Sequence, residues 1–240
     1  MTTLFVSDLH LDAKKPEIGN QFLVFLEEEV SKANALYILG DLFEVWLGDD
    51  DPDPYYAHIK MALHKITNSG VPIFFMHGNR DFMIGDTFSQ ETGVKIISDP
   101  TVIRLNNQDV LLCHGDTLCT DDTEYQEMRK TTRNPYWQAK MLARPLKERL
   151  AFAAKARENS KIHNELTVPE LMDVNLDAVK KILLKYSANI LLHGHTHRPN
   201  IHKIKINGVN AMRIVLGDWF EQGSVVRCDK NGLKLETMTR

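Results

Sequence analysis

Five short polar clusters hold the residues of this sequence best suited to chemistry. They are Asp8-Leu9-His10, Gly40-Asp41, Gly78-Asn79-Arg80-Asp81, His114-Gly115-Asp116 and Gly194-His195-Thr196-His197. The two-residue spacing of Asp8 and His10, and of His195 and His197, puts each pair on one face of an extended chain. Together Asp8, His10, Asp41, Asn79, His114, His195 and His197 offer oxygen and imidazole donors and no thiolate. Such donors suit a borderline divalent ion such as Mn²⁺, Fe²⁺ or Zn²⁺ and argue against a closed, cysteine-rich structural zinc site. Seven donors exceed what one catalytic ion with an open position needs. Two ions ~3.5–4 Å apart that share a bridging carboxylate use all of them, and such a pair activates water and clamps a phosphoryl group. Glycines beside Asp41, Asn79, His114 and His195 let the backbone turn sharply and approach a small ion. Any one cluster alone reads more readily as a turn or a cap than as a metal site. Five in the same context do not.

That context is the end of a short apolar run. Leu4–Ser7, Ala35–Leu39, Ile73–His77, Val110–Cys113 and Asn189–Leu192 predict buried strands, with helices over Glu17–Lys32 and Tyr55–Asn68 between the first three. This β-α-β-α-β order predicts a parallel sheet covered by helices, with the clusters converging where the strands end. Towards the C-terminus, Ile201–Ile206, Met212–Leu216, Ser224–Cys228 and Leu233–Thr237 predict antiparallel strands, with a hairpin turn at Asn207-Gly208. The fold class is therefore α/β with α+β elements. Between Asp122 and Ala188 the strand pattern gives way to about four helical pieces, with Pro135, Pro145 and Pro169 at candidate helix starts. The expectation is a core of residues 1–121 and 188–240 with a helical insertion, or lid, over 122–187. The alternative is that these helices simply cover the sheet.

With 240 residues, 43% hydrophobic and 25% charged, the chain has the composition of one packed domain with an insertion rather than a disordered or disulfide-dense protein. No apolar run approaches the ~20 residues of a membrane-spanning helix. The first residues lack a basic start and meet Asp8 at once, so no export leader is expected. Three cysteines without a CxxC fit reduced thiols inside a cell. Charge is segregated: Arg129 to Lys161 holds ten Lys/Arg against two acids, a net +8 in a chain whose total is −3. That asymmetry predicts an anionic partner at one place. Within the stretch, Trp137 and Met141, then Leu146 and Leu150, stand four apart among Lys140, Arg144, Lys147 and Arg149. Such a face lies on anionic headgroups, admits acyl chains, or packs on its own domain.

Among the remaining polar residues, His77 and His193 read as hydrogen-bonded core histidines, and His58, His64, His163 and His202 as solvated. Asp49-Asp50-Asp51 reads as a solvated loop, and Asp81 and Asp116 as groups that orient neighbouring ligands. Cys113 and Cys119 have no evident histidine partner and are not expected to act as nucleophiles.

The five clusters, in this order and across most of the chain, resemble the calcineurin-like metallophosphoesterase superfamily. The likeness extends through Gly48-Asp49-Asp50, Gly78 to Phe82, His114 to Asp122 and Met172 to Asn175. There the chain is similar to the branch that acts on UDP-2,3-diacylglucosamine in the lipid A pathway of Gram-negative bacteria. The resemblance implies a four-layer αββα sandwich with a helical lid. It implies hydrolysis of the pyrophosphate to 2,3-diacylglucosamine 1-phosphate (lipid X) and UMP, with two Mn²⁺ ions. Asp8, His10, Asp41 and His197 would hold one ion and Asp41, Asn79, His114 and His195 the other. Asp41, Arg80 and His114 would be catalytic, and Asn79, Arg80, Asp122, Ser160, Asn164 and His195 would contact substrate. Thr167 stands where relatives can carry a substrate-contacting lysine, so no contact is carried over there. Implied too is a peripheral protein at the cytoplasmic face of the inner membrane, against an anionic surface. A monomer without a nucleic-acid partner is expected.

Arg80 bears on the bond cleaved. Many superfamily members have a histidine at this position, able to protonate an alkoxide. An arginine stays charged and cannot. A leaving phosphate with a second pKa of ~6 needs no strong acid. Bidentate neutralisation by Arg80 therefore favours a pyrophosphate bond over an alkyl phosphate. The rivals are a metal-dependent nuclease, gripping nucleic acid with the basic stretch, and a scaffold without activity.

Overall fold

A computed structural model describes residues 2–166 and 173–238, with the side chains of 2–158 and 173–238. Among the described residues, eleven strands form two sheets. The first comprises β1 (Thr3–Val6), β2 (Ala35–Ile38), β3 (Ile73–Met76), β4 (Lys95–Ile97), β10 (Gly223–Asp229) and β11 (Gly232–Met238), in the order β11-β10-β1-β2-β3-β4. The second comprises β5 (Thr101–Leu105), β6 (Gln108–Leu112), β7 (Ile190–His193), β8 (Asn200–Ile206) and β9 (Val209–Val215), in the order β5-β6-β7-β9-β8. β1 to β4 run parallel, as the N-terminal alternation predicts. The two sheets are those of the sandwich that the resemblance implies, although the strand pattern alone did not assign strands between them. β6 and β7 belong to the second sheet, and the C-terminal strands divide between both, with β9 parallel to β7.

Strand alternation builds the layers, because successive side chains leave a strand on opposite faces. On β1, Leu4 and Val6 face outward to α1 (Pro16–Glu28) and α2 (Pro54–Asn68), joining Phe22, Phe25 and Leu63. Phe5, between them, faces inward and meets Leu112, Leu192 and Ile214 of the second sheet. On that sheet Leu111 and Leu191 face the other way, against Val179 and Leu183 of the C-terminal helix over Leu176–Lys185. Helix, sheet, sheet, helix: the four-layer αββα sandwich is present. The short α3 (Asp86–Thr92), β4 and β5 were not anticipated, being too brief or too weakly apolar to stand out.

The segment between the second sheet's β6 and β7 holds two kinds of helix. α4 (Thr123–Thr132), α5 (Pro135–Leu142) and α6 (Leu146–Leu166) lie over the strand ends, and α7 (Leu176–Lys185) is a layer helix. Asn134 caps α5 through hydrogen bonds from Tyr136 N and Trp137 N, with Pro135 in the first turn. Asn175 caps α7 in the same way. Pro169, the third proline read as a helix start, lies outside the described residues, as does Thr167.

Candidate metal centre

All seven candidate donors meet in one crevice, where the ends of β1, β2 and β3 face those of β6 and β7. Their backbones explain how. Asp8, His10, Asp41, His195 and His197 all have positive φ, between 51° and 69°. Left-handed backbone is uncommon outside glycine, and its concentration here marks a site where local strain is held by surrounding structure. It also corrects the sequence reading. Asp8 with His10, and His195 with His197, converge through left-handed turns and not by sharing the face of an extended strand. Gly40 and Gly115 do turn the backbone sharply, at φ of 90° and 123°, but Gly78 and Gly194 need a similar correction. A Cβ on Gly78 would stand 2.1 Å from Asp41 Oδ1, and one on Gly194 2.2 Å from Asp8 Oδ2. They make room for donor side chains, rather than bringing backbone to an ion.

The donors are oriented from behind. Asp8 Oδ2 accepts hydrogen bonds from Ser7 Oγ (2.6 Å) and His195 N (2.9 Å). Its Oδ1 is buried without a hydrogen bond, 3.4 Å from His197 Nε2. His10 Nδ1 lies 3.0 Å from Glu44 Oε2, and His197 Nδ1 lies 3.1 Å from Asp218 Oδ2. Those contacts leave the two Nε2 atoms facing each other at 3.2 Å. His114 Nδ1 donates to the Leu39 carbonyl (2.9 Å), turning Nε2 to Asn79 Oδ1 (2.9 Å), where His195 Nδ1 also points (2.9 Å). Asp41 stands between the two sets. Its Oδ2 is 3.9 Å from His10 Nε2, and its Oδ1 is 3.8 Å from His114 Nε2. Two overlapping groups, Asp8 with His10 and His197, and Asp8 with Asp41 and His114, each bring one donor atom per residue within 4.8 Å.

These residues fit divalent cations on their own chemistry. A buried Asp8 oxygen without a hydrogen bond, 3.4 Å from an imidazole nitrogen and grouped with the Asp41 carboxylate, favours positive charge. Electrostatics agree. Burial alone would lower His114, yet the Asp41, Asp116 and Asp8 carboxylates hold it up to about 9. Burial likewise opposes His197, which Asp218 and Asp8 raise to about 10. His195 is pushed down to about 4 by burial and the neighbouring His114.

Of the two carboxylates expected to orient neighbouring ligands, Asp81 holds the backbone beside Asp41 and Asn79, whereas Asp116 holds the cover. Asp81 accepts from Leu42 N (2.7 Å) and Gly78 N (2.9 Å), tying the end of β2 to that of β3. Burial and the Asp41 charge push it up to about 7. Asp116 accepts from Tyr125 Oη (3.0 Å) and Arg129 Nε (2.7 Å), fastening α4 to the crevice. Glu44 and Asp218 were missed. Their only sequence signal is a carboxylate three residues after Asp41 and another beside Trp219. Trp219 is fully buried, edge-on to Phe22 and Phe25, which anchors the Asp218 loop in the core. His77 and His193 are bonded to backbone carbonyls as expected, Nε2 to Ile84 O and Nδ1 to Gly194 O, each at 2.8 Å. Burial raises both Cys113 and Cys119, the latter to about 12, away from thiolate chemistry.

Beside Asn79 and Arg80, under α4, α5 and α6, lies a cavity of about 150 Å³. Phe82, Met83, Met128, Trp137 and Phe152 make its apolar wall, and Arg80, Arg129, Arg133 and Arg157 its basic one. Arg80 N donates to Asp41 Oδ1 (2.8 Å), so this residue is held against the crevice. Asp122 accepts from Tyr125 N (3.0 Å) as the cap of α4 and does not line the cavity. Ser160 and Asn164 fall on α6, where their side chains lie outside those described.

The basic stretch divides by direction. Arg149 is 2% exposed, donating to the carbonyls of Leu47 and Arg144 and pairing with both oxygens of Asp50. It cannot face an outside partner, as the sequence suggested. The Asp49–Asp51 run is likewise more than a solvated loop. Asp49 accepts from Trp46 Nε1 (2.9 Å), Gly85 N (3.1 Å) and Phe88 N (2.9 Å). Lys140, Arg144 and Lys147 are exposed, with Tyr136, Leu142 and Leu150 exposed on the same helices. Among the described residues, no helix is long and apolar enough to cross a membrane.

The calcineurin-like phosphoesterase family model matches residues 1–199. A curated relative from Xanthomonas oryzae pv. oryzae, named UDP-2,3-diacylglucosamine hydrolase, is 51% identical over 98% of both chains. One of the same name from Stenotrophomonas maltophilia is 49% identical over the full length of both. A solved archaeal phosphodiesterase aligns with 99% of this chain and 100% of its own, at TM-score 0.49 and 12% identity. With the four layers, the converging donors and a family match over most of its length, the chain belongs to the calcineurin-like phosphoesterases.

Proposed function

We propose that this phosphoesterase hydrolyses the pyrophosphate of UDP-2,3-diacylglucosamine, giving 2,3-diacylglucosamine 1-phosphate and UMP, with two Mn²⁺ ions per chain. The observation that carries it is a paired donor crevice opening directly on a cavity with one apolar and one arginine wall. A phosphate-linked lipid matches both walls, and the curated relatives bear the corresponding name.

Asp8, His10, Asp41 and His197 would hold one ion and Asp41, Asn79, His114 and His195 the other. When bound, the pair supplies water activation and charge neutralisation. The chain's own residues do the rest. Glu44 and Asp218 keep the His10 and His197 rings turned inward. Asp41 presents one oxygen to each donor set. Arg80, permanently charged, neutralises charge building on the phosphates, with the uridine-linked phosphorus as the point of attack. Asn79, Arg80 and His195 contact the diphosphate, and Asp122, Ser160 and Asn164 its flanking groups. At about 150 Å³ the cavity is smaller than the ~300–1,000 Å³ of typical small-molecule pockets, so α4–α6 must shift outward to admit acyl chains. A monomer lying peripherally on an anionic leaflet, the inner membrane's cytoplasmic face, is the reading that the exposed Lys140, Arg144 and Lys147 with Tyr136, Leu142 and Leu150 support.

The test is incubation with UDP-2,3-diacylglucosamine and Mn²⁺, before and after chelation, scored for UMP. UMP should appear, stop on chelation and return with Mn²⁺. UMP release by metal-free protein, or nucleotide release from DNA in its place, overturns the proposal.

A further inference from the structure

Glu44 holds two groups that belong to different parts of the molecule. Its Oε2 lies 3.0 Å from His10 Nδ1, at the floor of the crevice. Its Oε1 lies 3.5 Å from Arg157 Nη1, on α6 of the cover. The carboxylate is mostly enclosed, with 22% of its side chain exposed, and it lines the cavity together with Arg157. A carboxylate on the far nitrogen of a metal-binding imidazole fixes the ring's tautomer and raises its basicity. Here the same carboxylate is also paired with a cation on a helix that covers the cavity.

We infer that Glu44 is a positioning residue that couples the seating of α6, through Arg157, to ion occupancy on the His10 side of the crevice. The inference rests on the two-ion function proposed above. Coupling between sites is reciprocal: if α6 seating helps an ion to bind, ion binding helps α6 to seat. Among the described residues, the ion pairs of Asp218, which backs His197, include no cover-helix cation, whereas Glu44 on the His10 side pairs with Arg157.

Titration of Mn²⁺ into metal-free protein by calorimetry, with hydrogen exchange along residues 146–158, tests the coupling. Wild type should bind two ions, and Mn²⁺ should slow exchange in α6. A wild-type stoichiometry other than two overturns the two-ion function itself, separately from the role of Glu44. In Glu44→Gln one of the two ions should bind about 10- to 100-fold more weakly. The other should be unaffected, and Mn²⁺ protection of α6 should be lost. Arg157→Gln should weaken the same ion, and that effect should vanish in the double variant. Arg157→Gln also serves alone if Glu44→Gln does not fold. Unchanged ion affinities in either single variant, equal weakening of both ions with a drop in Tm, or persisting Mn²⁺ protection of α6 in Glu44→Gln overturns the inference.

Discussion

The crevice and the cover over it are built on opposite terms. Around the crevice Asp8, His10, Asp41 and His114 are buried and Asn79, His195 and His197 partly so, and five of the seven sit in left-handed backbone held by neighbours such as Asp81 and Ser7. α4 buries no residue fully and α5 only Met141, whereas α1 buries Ile18, Gly19, Phe22, Phe25 and Leu26. The cover is attached mainly by arginines. Arg129 reaches Asp116, Arg133 reaches the Gly78 carbonyl, Arg149 reaches Asp50, and Arg157 reaches Glu44. A strained, over-determined floor suits chemistry that needs fixed geometry. A roof pinned by a few polar contacts, with little buried apolar area, opens at lower free-energy cost.

The contrast is most sharply broken at Asp41, the carboxylate facing both donor sets. Asp41→Ala should lower kcat by at least about 10³-fold, while the cover stays folded. Two ions still bound at wild-type affinity would refute its bridging role. Arg80→His should cost about 10²-fold in kcat on the pyrophosphate. Unchanged turnover and substrate range would remove Arg80 from charge neutralisation.

On the roof the effects turn from rate to stability. Arg149→Ala should lower stability by about 1–3 kcal/mol, from lost charged hydrogen bonds, and speed exchange in α6. Unaltered melting would show that α6 is held by something other than this clasp. Neutralising Lys140, Arg144 and Lys147 should weaken binding to anionic vesicles by about 1 kcal/mol each, and high salt should do the same. Arg149→Gln should leave vesicle binding alone; if it weakens binding as they do, the division by direction is wrong.

The smallest effect is one of pH. Hydrogen bonding to Arg149 is the main cause holding Asp50 below the ordinary carboxyl value of 3.8. A lowered carboxyl contributes stability that is present above that value and lost as pH falls through its folded value. The clasp on α6 should therefore loosen only in acid, below about pH 4, and Asp50→Asn should remove that part of the acid dependence. An identical acid limb of the melting curve in wild type and Asp50→Asn would show that the pair adds nothing.

Much of the site was legible because the donors sit at the ends of apolar runs, and those runs are strands in every case. Carboxylate, amide and imidazole without thiolate already pointed to a divalent ion. Glu44 and Asp218 were not legible, since a carboxylate behind a histidine has no fixed sequence distance from it. Nor did the pattern of apolar residues say which strand joins which of the two sheets. Periodicity shows that a strand is buried and cannot say which of two faces buries it.

The sequence by itself determined the donor types, the apolar runs that bury the strands, and the excess of basic charge between Arg129 and Lys161. These follow from composition and spacing, which are local. Only the tertiary structure decided which basic residues turn inward, which carboxylates back which imidazoles, and that Asp41 stands between both donor sets. Those depend on which surfaces meet, and contact between residues far apart in the chain is fixed by packing, not by their neighbours in sequence.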